Sequence, residues 1–191
     1  MLIPEGRQEL KLSPSWNACK WDASEAYAHG IGQAFSGLEG ARGVKAADLV
    51  ASRDGVAPVL MIGEFKDFAH PSIPKADRKR VAAQAVSLQL VESLIAKVID
   101  TLAGATFARG SAGSREPVFN RWRDRVGSPE AALLILVMVE FPDRQASSVL
   151  ALQTRLKQQL FWLGQGARVA VICSSTDLKP YRRLGIEYRV L

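Results

Sequence analysis

Lys45 to Phe68 reads KAADLVASRDGVAPVLMIGEFKDF, and the way its two halves pair decides what the rest of the chain can support. Apolar residues on both sides of Asp54-Gly55 read as two antiparallel strands, because that dipeptide readily supplies the positive backbone angles of a hairpin turn. Side chains alternate faces along a strand, so one residue more or less in the loop swaps every face. A two-residue loop at Asp54-Gly55 pairs Arg53 with Val56 and sends Asp48 and Glu64 to opposite faces. Pro58 has no N–H to give a ladder and belongs in the loop or on an edge. A five-residue loop from Asp54 to Pro58 instead pairs Arg53 with Val59, sets Asp48 opposite Glu64 and brings Lys66 to the same face.

Opposed carboxylates destabilise a sheet. At a separation of about 4 Å and an effective dielectric near 20 they repel by roughly 4 kcal/mol. A positive charge is therefore expected between them. Magnesium suits the position, since it binds through one or two carboxylates and keeps several waters. Beside it, Lys66 would orient or deprotonate an attacking water, or stabilise charge developing on a phosphate. The plainer alternative is an ion pair of Lys66 with Glu64 or Asp48 at the rim of the sheet.

At 191 residues the chain is expected to form a single domain over residues 1–191. Hydrophobic residues at 48% and charged residues at 23% are ordinary for a globule. No apolar run approaches a membrane span, and Met1 to Ser15 carries no apolar signal core. A cytoplasmic location and no membrane partner are expected. Cys19 and Cys173 lack the spacing of a disulfide framework or a metal site and read as buried thiols.

The net charge of +6 is concentrated. Residues 70–81 hold Lys75, Arg78, Lys79 and Arg80 against Asp77; residues 104–129 hold Arg109, Arg115, Arg121, Arg123 and Arg125 against Glu116 and Asp124. These two segments carry the whole excess, which suits a phosphate backbone. Solvated loops without a partner are the alternative. Phe107, Phe119 and Trp122 lie among the second set of arginines, where aromatic rings either stack on unpaired bases or pin the loop to the body.

Read in order, the first dozen residues suggest an arm or an irregular strand. A helix is expected from Trp21, capped by Asp22 with Glu25 three residues later; its buried stripe would include Tyr27, Ile31, Phe35 and Leu38. After the hairpin, Lys75 to Ala103 has the longest helical pattern, with Val81, Ala85, Leu88, Ile95, Val98 and Leu102 inward and Gly104 as a stop. Arg80, Gln84 and Ser87 lie on another face near its start, within reach of a phosphate. Residues 104–129 read as a loop. Ala131 to Phe141 reads as a strand covered on both faces. A helix capped by Ser147 or Ser148 leads to a second apolar strand, Ala167 to Cys173, in a crossover expected to be parallel. The last segment alternates Ile186, Tyr188 and Val190 with Glu187 and Arg189, a strand with one wet face.

This order, with an acid on one strand and acid-x-lysine on the next, resembles the PD-(D/E)XK nuclease superfamily, whose shared core is αβββαβ. The resemblance covers Trp21 to Phe141. It implies a restriction-endonuclease-like α/β fold: a mixed central sheet flanked by helices, here with an additional C-terminal helix and strands. It also implies a metal site made by Asp48, Glu64 and Lys66, with Glu25 as a further acid and the Phe65 carbonyl as a further ligand. Ala47 stands where the family name has proline. Gln84 is followed four residues on by Leu88 and Gln89 by Ser93, so the glutamine–tyrosine signature of exonuclease-like members is missing.

The expected function is a nuclease using Mg2+ or Mn2+ on DNA, with Lys75, Arg78, Lys79, Arg80, Gln84, Arg109, Arg115, Arg121, Arg123 and Arg125 on the nucleic acid. The alternatives are a nuclease-like module that binds nucleic acid or protein without cutting, and a subunit active only in a larger assembly. Homodimerisation is left open.

Overall fold

A computed structural model of the chain describes residues 1–24, 27, 45–55, 57–85, 87–107, 117–126, 128–142 and 146–191. The strands are β1 (Leu2–Glu5), β2 (Gln8–Leu12), β3 (Trp16–Lys20), β4 (Leu49–Arg53), β5 (Val59–Asp67), β6 (Ala132–Glu140), β7 (Ala167–Ile172) and β8 (Ile186–Val190). The α-helices are α1 (Arg78–Ala85), α2 (Leu88–Phe107), α3 (Pro117–Arg125), α4 (Ala146–Gln159) and the short α5 (Lys179–Arg182).

The architecture is mixed α/β. A five-stranded sheet runs β3-β4-β5-β6-β7, and a smaller one runs β1-β2-β8. Strands β3, β4 and β5 form an antiparallel meander, whereas β5, β6 and β7 are parallel. The five-residue hairpin loop holds: Arg53 pairs with Val59 and Leu49 with Gly63. Gly63 is needed there, because a Cβ would come within 2.9 Å of Leu49 Cδ2. The parallel β6-to-β7 crossover through α4 holds as well.

Each face of the large sheet buries its own core. Ile62, Val91, Leu94, Val98, Val137 and Leu156 pack where α2 and α4 cover one face. Leu10, Leu12, Met61, Leu136, Ile172 and Ile186 pack where the small sheet covers the other. Such two-sided burial explains why β6 reads as a nearly unbroken apolar run.

Several expectations are corrected. The first dozen residues form a regular hairpin, held against β8 from the far end of the chain by pairs such as Leu10 with Tyr188. Trp16–Lys20, assigned to no element from sequence, is the edge strand beside β4. The pattern from Lys75 to Ala103 is two helices, because Ser87 Oγ accepts the Leu90 N–H at 3.2 Å and starts a new helix. That turns Leu88 outward, 67% exposed, and adds Leu90, Val91 and Leu94 to the buried face, where Val98 lies as expected.

Helix α2 then runs through Gly104 to Phe107, tertiary packing outweighing the glycine's poor propensity. Residues 117–125, read as loop, are helix α3, and Trp122 is fully buried, which removes it as a base-stacking ring. Ser147 and Ser148 lie inside α4 rather than capping it. Cys173 is buried as expected, but Cys19 is only partly so. Near Trp21, Ser24 Oγ accepts the Tyr27 N–H at 3.1 Å; the rest of that expected helix, with the Glu25 N–H that Asp22 would cap, lies outside the described residues. Among the described residues no helix is long and apolar enough to cross a membrane.

Candidate active site

The hairpin register brings two carboxylates together at its open end. One step beyond the Leu49–Gly63 pair, Asp48 meets Glu64, and the backbone there holds one oxygen of each acid. Asp48 N–H donates to Glu64 Oε2 at 3.3 Å, and Phe65 N–H donates to Asp48 Oδ2 at 2.8 Å. The remaining oxygens, Asp48 Oδ1 and Glu64 Oε1, face one point. Lys97 Nζ occupies it, 3.0 Å from the first and 2.6 Å from the second. Lys66 Nζ approaches Glu64 Oε1 at 2.5 Å. The sequence called for a positive charge between the acids; an ammonium from α2 sits there.

Lys97 was not singled out from the sequence, yet a signal existed. Ser93, Lys97, Asp100 and Thr101 fall at i, i+4, i+7 and i+8, one stripe of a helix. Three of them hold the approach to Asp48: Asp100 Oδ2 accepts the Lys45 N–H at 2.8 Å, Thr101 Oγ1 the Ala47 N–H at 3.1 Å, and Lys97 binds Asp48 itself. Polar residues on the same side as Leu94 and Val98 are more informative than those on the wet side. The apolar stripe chosen from the sequence, which included Leu88, hid them.

Asp22 is a second residue missed as part of the site. Trp21 N–H donates to the Asp48 carbonyl at 3.0 Å, which sets the next side chain beside the site. Asp22 is exposed to solvent; partial desolvation raises its carboxyl, the Asp48 charge adds to that, and Lys97 is among the charges pulling it back.

Electrostatics follow from this packing. Burial pushes Glu64 above the usual carboxylate range; Lys66 opposes the shift, Asp48 reinforces it and Lys97 opposes it again. Burial works to lower Lys97, but Glu64 and then Asp48 outweigh it and hold the ammonium above the ordinary lysine value. Glu64 is almost fully enclosed, its side chain 5% exposed against 28% for Lys66, so Lys66 is the member open to solvent.

The other expected residues are spread more widely. Phe65 enters through its N–H, while its ring is buried on the opposite face. Lys75, Arg78, Lys79 and Arg80 are exposed just after β5, Arg80 pairing with Asp77 at 3.1 Å. Arg121 is exposed, Arg123 pairs with Asp124 at 2.9 Å, and Arg125 pairs with Asp54. Asp54 lies at the closed end of the hairpin, roughly 20 Å along the strand from Asp48, so Arg125 stands away from the carboxylates. Glu25, Arg109, Arg115 and the side chain of Gln84 lie outside the described residues. His70 closes a local turn through Ser72 Oγ at 2.6 Å.

Among the described residues no three His, Cys, Asp or Glu side chains gather in a metal-holding group. The Asp48–Glu64 pair still fits a hard divalent cation, since two carboxylate oxygens already converge on one cationic centre. No protein-family model, curated protein or solved structure matches the chain.

Proposed function

We propose that the chain is a metal-dependent nuclease with a restriction-endonuclease-like core, hydrolysing phosphodiester bonds in DNA. The observation that carries this reading is the convergence of Asp48 Oδ1 and Glu64 Oε1 on one cationic position, with Lys66 on the same face two residues along. The strand order supports it: an antiparallel meander bearing the acids, followed by helices and parallel strands.

Asp48 and Glu64 would hold Mg2+ or Mn2+, with the Phe65 carbonyl as a third ligand by analogy with the family. When bound, such an ion polarises a phosphate oxygen and lowers the pKa of a coordinated water. The chain's own residues do the rest. The Phe65 and Asp48 N–H groups lock the orientation of the carboxylates, so little reorganisation is needed when charge develops. Lys66, the most open of the four charged groups, donates from Nζ to the attacking water or to a non-bridging phosphate oxygen. Lys75, Arg78 and Lys79, exposed after β5, supply backbone attraction that weakens steeply with salt.

A second reading is a nuclease-like module that binds without cutting. It is favoured by Lys97, which already neutralises both acids and leaves a closed ion-pair cluster. One experiment separates the two: supercoiled, linear, single-stranded and branched DNA are incubated with wild type and Lys66→Ala in Mg2+ and then Mn2+, and binding is followed in parallel. Cutting that vanishes in the variant while binding persists supports the nuclease. Salt-sensitive binding with no cutting by either protein transfers the argument to the module, and equal cutting by both removes Lys66 from the chemistry.

A further inference from the structure

Glu64 Oε1 accepts from two ammoniums, Lys66 at 2.5 Å and Lys97 at 2.6 Å, and Lys97 also reaches Asp48 Oδ1 at 3.0 Å. Two acids and two lysines make a neutral cluster. A divalent cation added to it leaves a surplus of two positive charges in a largely enclosed place. It also needs the same two oxygens that Lys97 already holds. The two lysines differ in what they block: Lys66 touches one acid from the open side, while Lys97 spans both.

Withdrawal of Lys97 halves the surplus, and the single negative charge of a phosphodiester then brings the site to neutrality. Lysine is suited to such a move, being a compact charge on a flexible four-carbon stem. A receiving group is at hand. Asp22, exposed to solvent, follows Trp21, whose N–H is tied to the Asp48 carbonyl at 3.0 Å, and the Asp48 and Lys97 charges both act on its carboxyl.

We propose that Lys97 is a built-in counterion that a divalent cation must displace, and that Asp22 receives the displaced ammonium. The inference rests on reading Asp48 and Glu64 as the cation site. Lys97 is thus a positioning residue: it keeps the acids together in the metal-free protein and sets the threshold of metal occupancy. Lys66 stays in place for the reaction.

The test is Mn2+ binding by calorimetry on the full chain. Lys97→Met binds Mn2+ at least about tenfold more tightly than wild type, a difference of about 1.4 kcal/mol. Asp22→Asn weakens binding in the wild-type background and has little effect in Lys97→Met, because the receiving group no longer has anything to receive. Should Lys97→Met not fold, wild-type protein still answers. Saturating Mn2+ raises amine labelling of Lys97 several-fold, measured by peptide mass spectrometry, and Glu64→Gln abolishes that rise. Equal affinity of wild type and Lys97→Met, or Lys97 labelling that Mn2+ leaves unchanged, overturns the displacement while a Glu64-dependent Mn2+ site survives. Absence of Mn2+ binding in every variant overturns both the displacement and the cation site.

Discussion

Glu64 and Glu140 stand on neighbouring parallel strands, each 4% exposed, and face opposite sides of one sheet. Their partners differ in kind. Glu64 meets the ammoniums of Lys66 and Lys97. Glu140 accepts from Ser174 N–H at 2.6 Å, Ser174 Oγ at 2.8 Å and Tyr188 Oη at 2.9 Å. Around the second cluster, Gln8 Nε2 donates to Tyr188 Oη at 2.9 Å, and Arg7 grips Asp67 through two bonds of 2.6 and 3.0 Å. The Tyr188 hydroxyl, on a ring packed into a core, cannot leave without unfolding something. Ammoniums on flexible stems can. Equal burial therefore goes with two kinds of partner: Glu140 fastens the small sheet to the large one, and Glu64 is neutralised by two lysine side chains.

The sharpest way to break this contrast is to neutralise each acid in turn. Glu64→Gln is expected to lower DNA cleavage by about 10²- to 10³-fold, the scale of losing a preorganised electrostatic group, with its circular dichroism unchanged. Glu140→Gln keeps cleavage per folded molecule within about tenfold. Equal losses in the two would erase the distinction.

Stability should rank the other way. Glu140→Ala strips the acceptor from the buried Tyr188 hydroxyl and from both donors of the more exposed Ser174, and is expected to cost about 2 kcal/mol in urea unfolding. A loss below about 1 kcal/mol would mean that the network holds nothing together.

Tyr188→Phe gives a smaller change with a pH signature. Burial, and then Glu140, raise the Tyr188 hydroxyl above its ordinary value of 10.0. The folded state keeps the proton that the unfolded chain gives up, so this contribution is complete below pH 10 and is lost as the pH rises further. Tyr188→Phe is expected to cost about 1 kcal/mol at neutral pH and to flatten the alkaline fall in stability, read from denaturation midpoints against pH.

The smallest effect belongs to the surface. Lys79→Ala should lower the slope of log affinity for DNA against log salt by about one and leave stability within about 0.5 kcal/mol. Arg189→Ala, on the exposed face of β8, should leave DNA affinity unchanged. A drop there would move the nucleic-acid surface to the other side of the sheet.

Much of the site was legible because it is local. Asp48, Glu64 and Lys66 sit on one hairpin, where loop length and the missing N–H of Pro58 select the register, and alternation then assigns every face. Strands β6, β7 and β8 were legible for a similar reason, since two-sided and one-sided burial leave different patterns in the residues themselves. Lys97 was not legible in that way. It lies 33 residues from Glu64 in the chain, and it reaches the site only because a break at Ser87 turns α2 so that Leu94 and Val98 pack inward. Periodicity can mark a polar stripe, but the rotation of a helix about its axis is chosen by the core it meets.

The Glu140 network is the extreme case, joining residues up to 180 apart through Gln8 and Tyr188. The sequence by itself determined the central hairpin, its paired acids and the alternation of the last strand, because these follow from chain stereochemistry over a few residues. Only the tertiary structure decided which cation neutralises the acids and which acid is a fastening, because distant elements supply those partners and packing alone brings them within hydrogen-bonding distance.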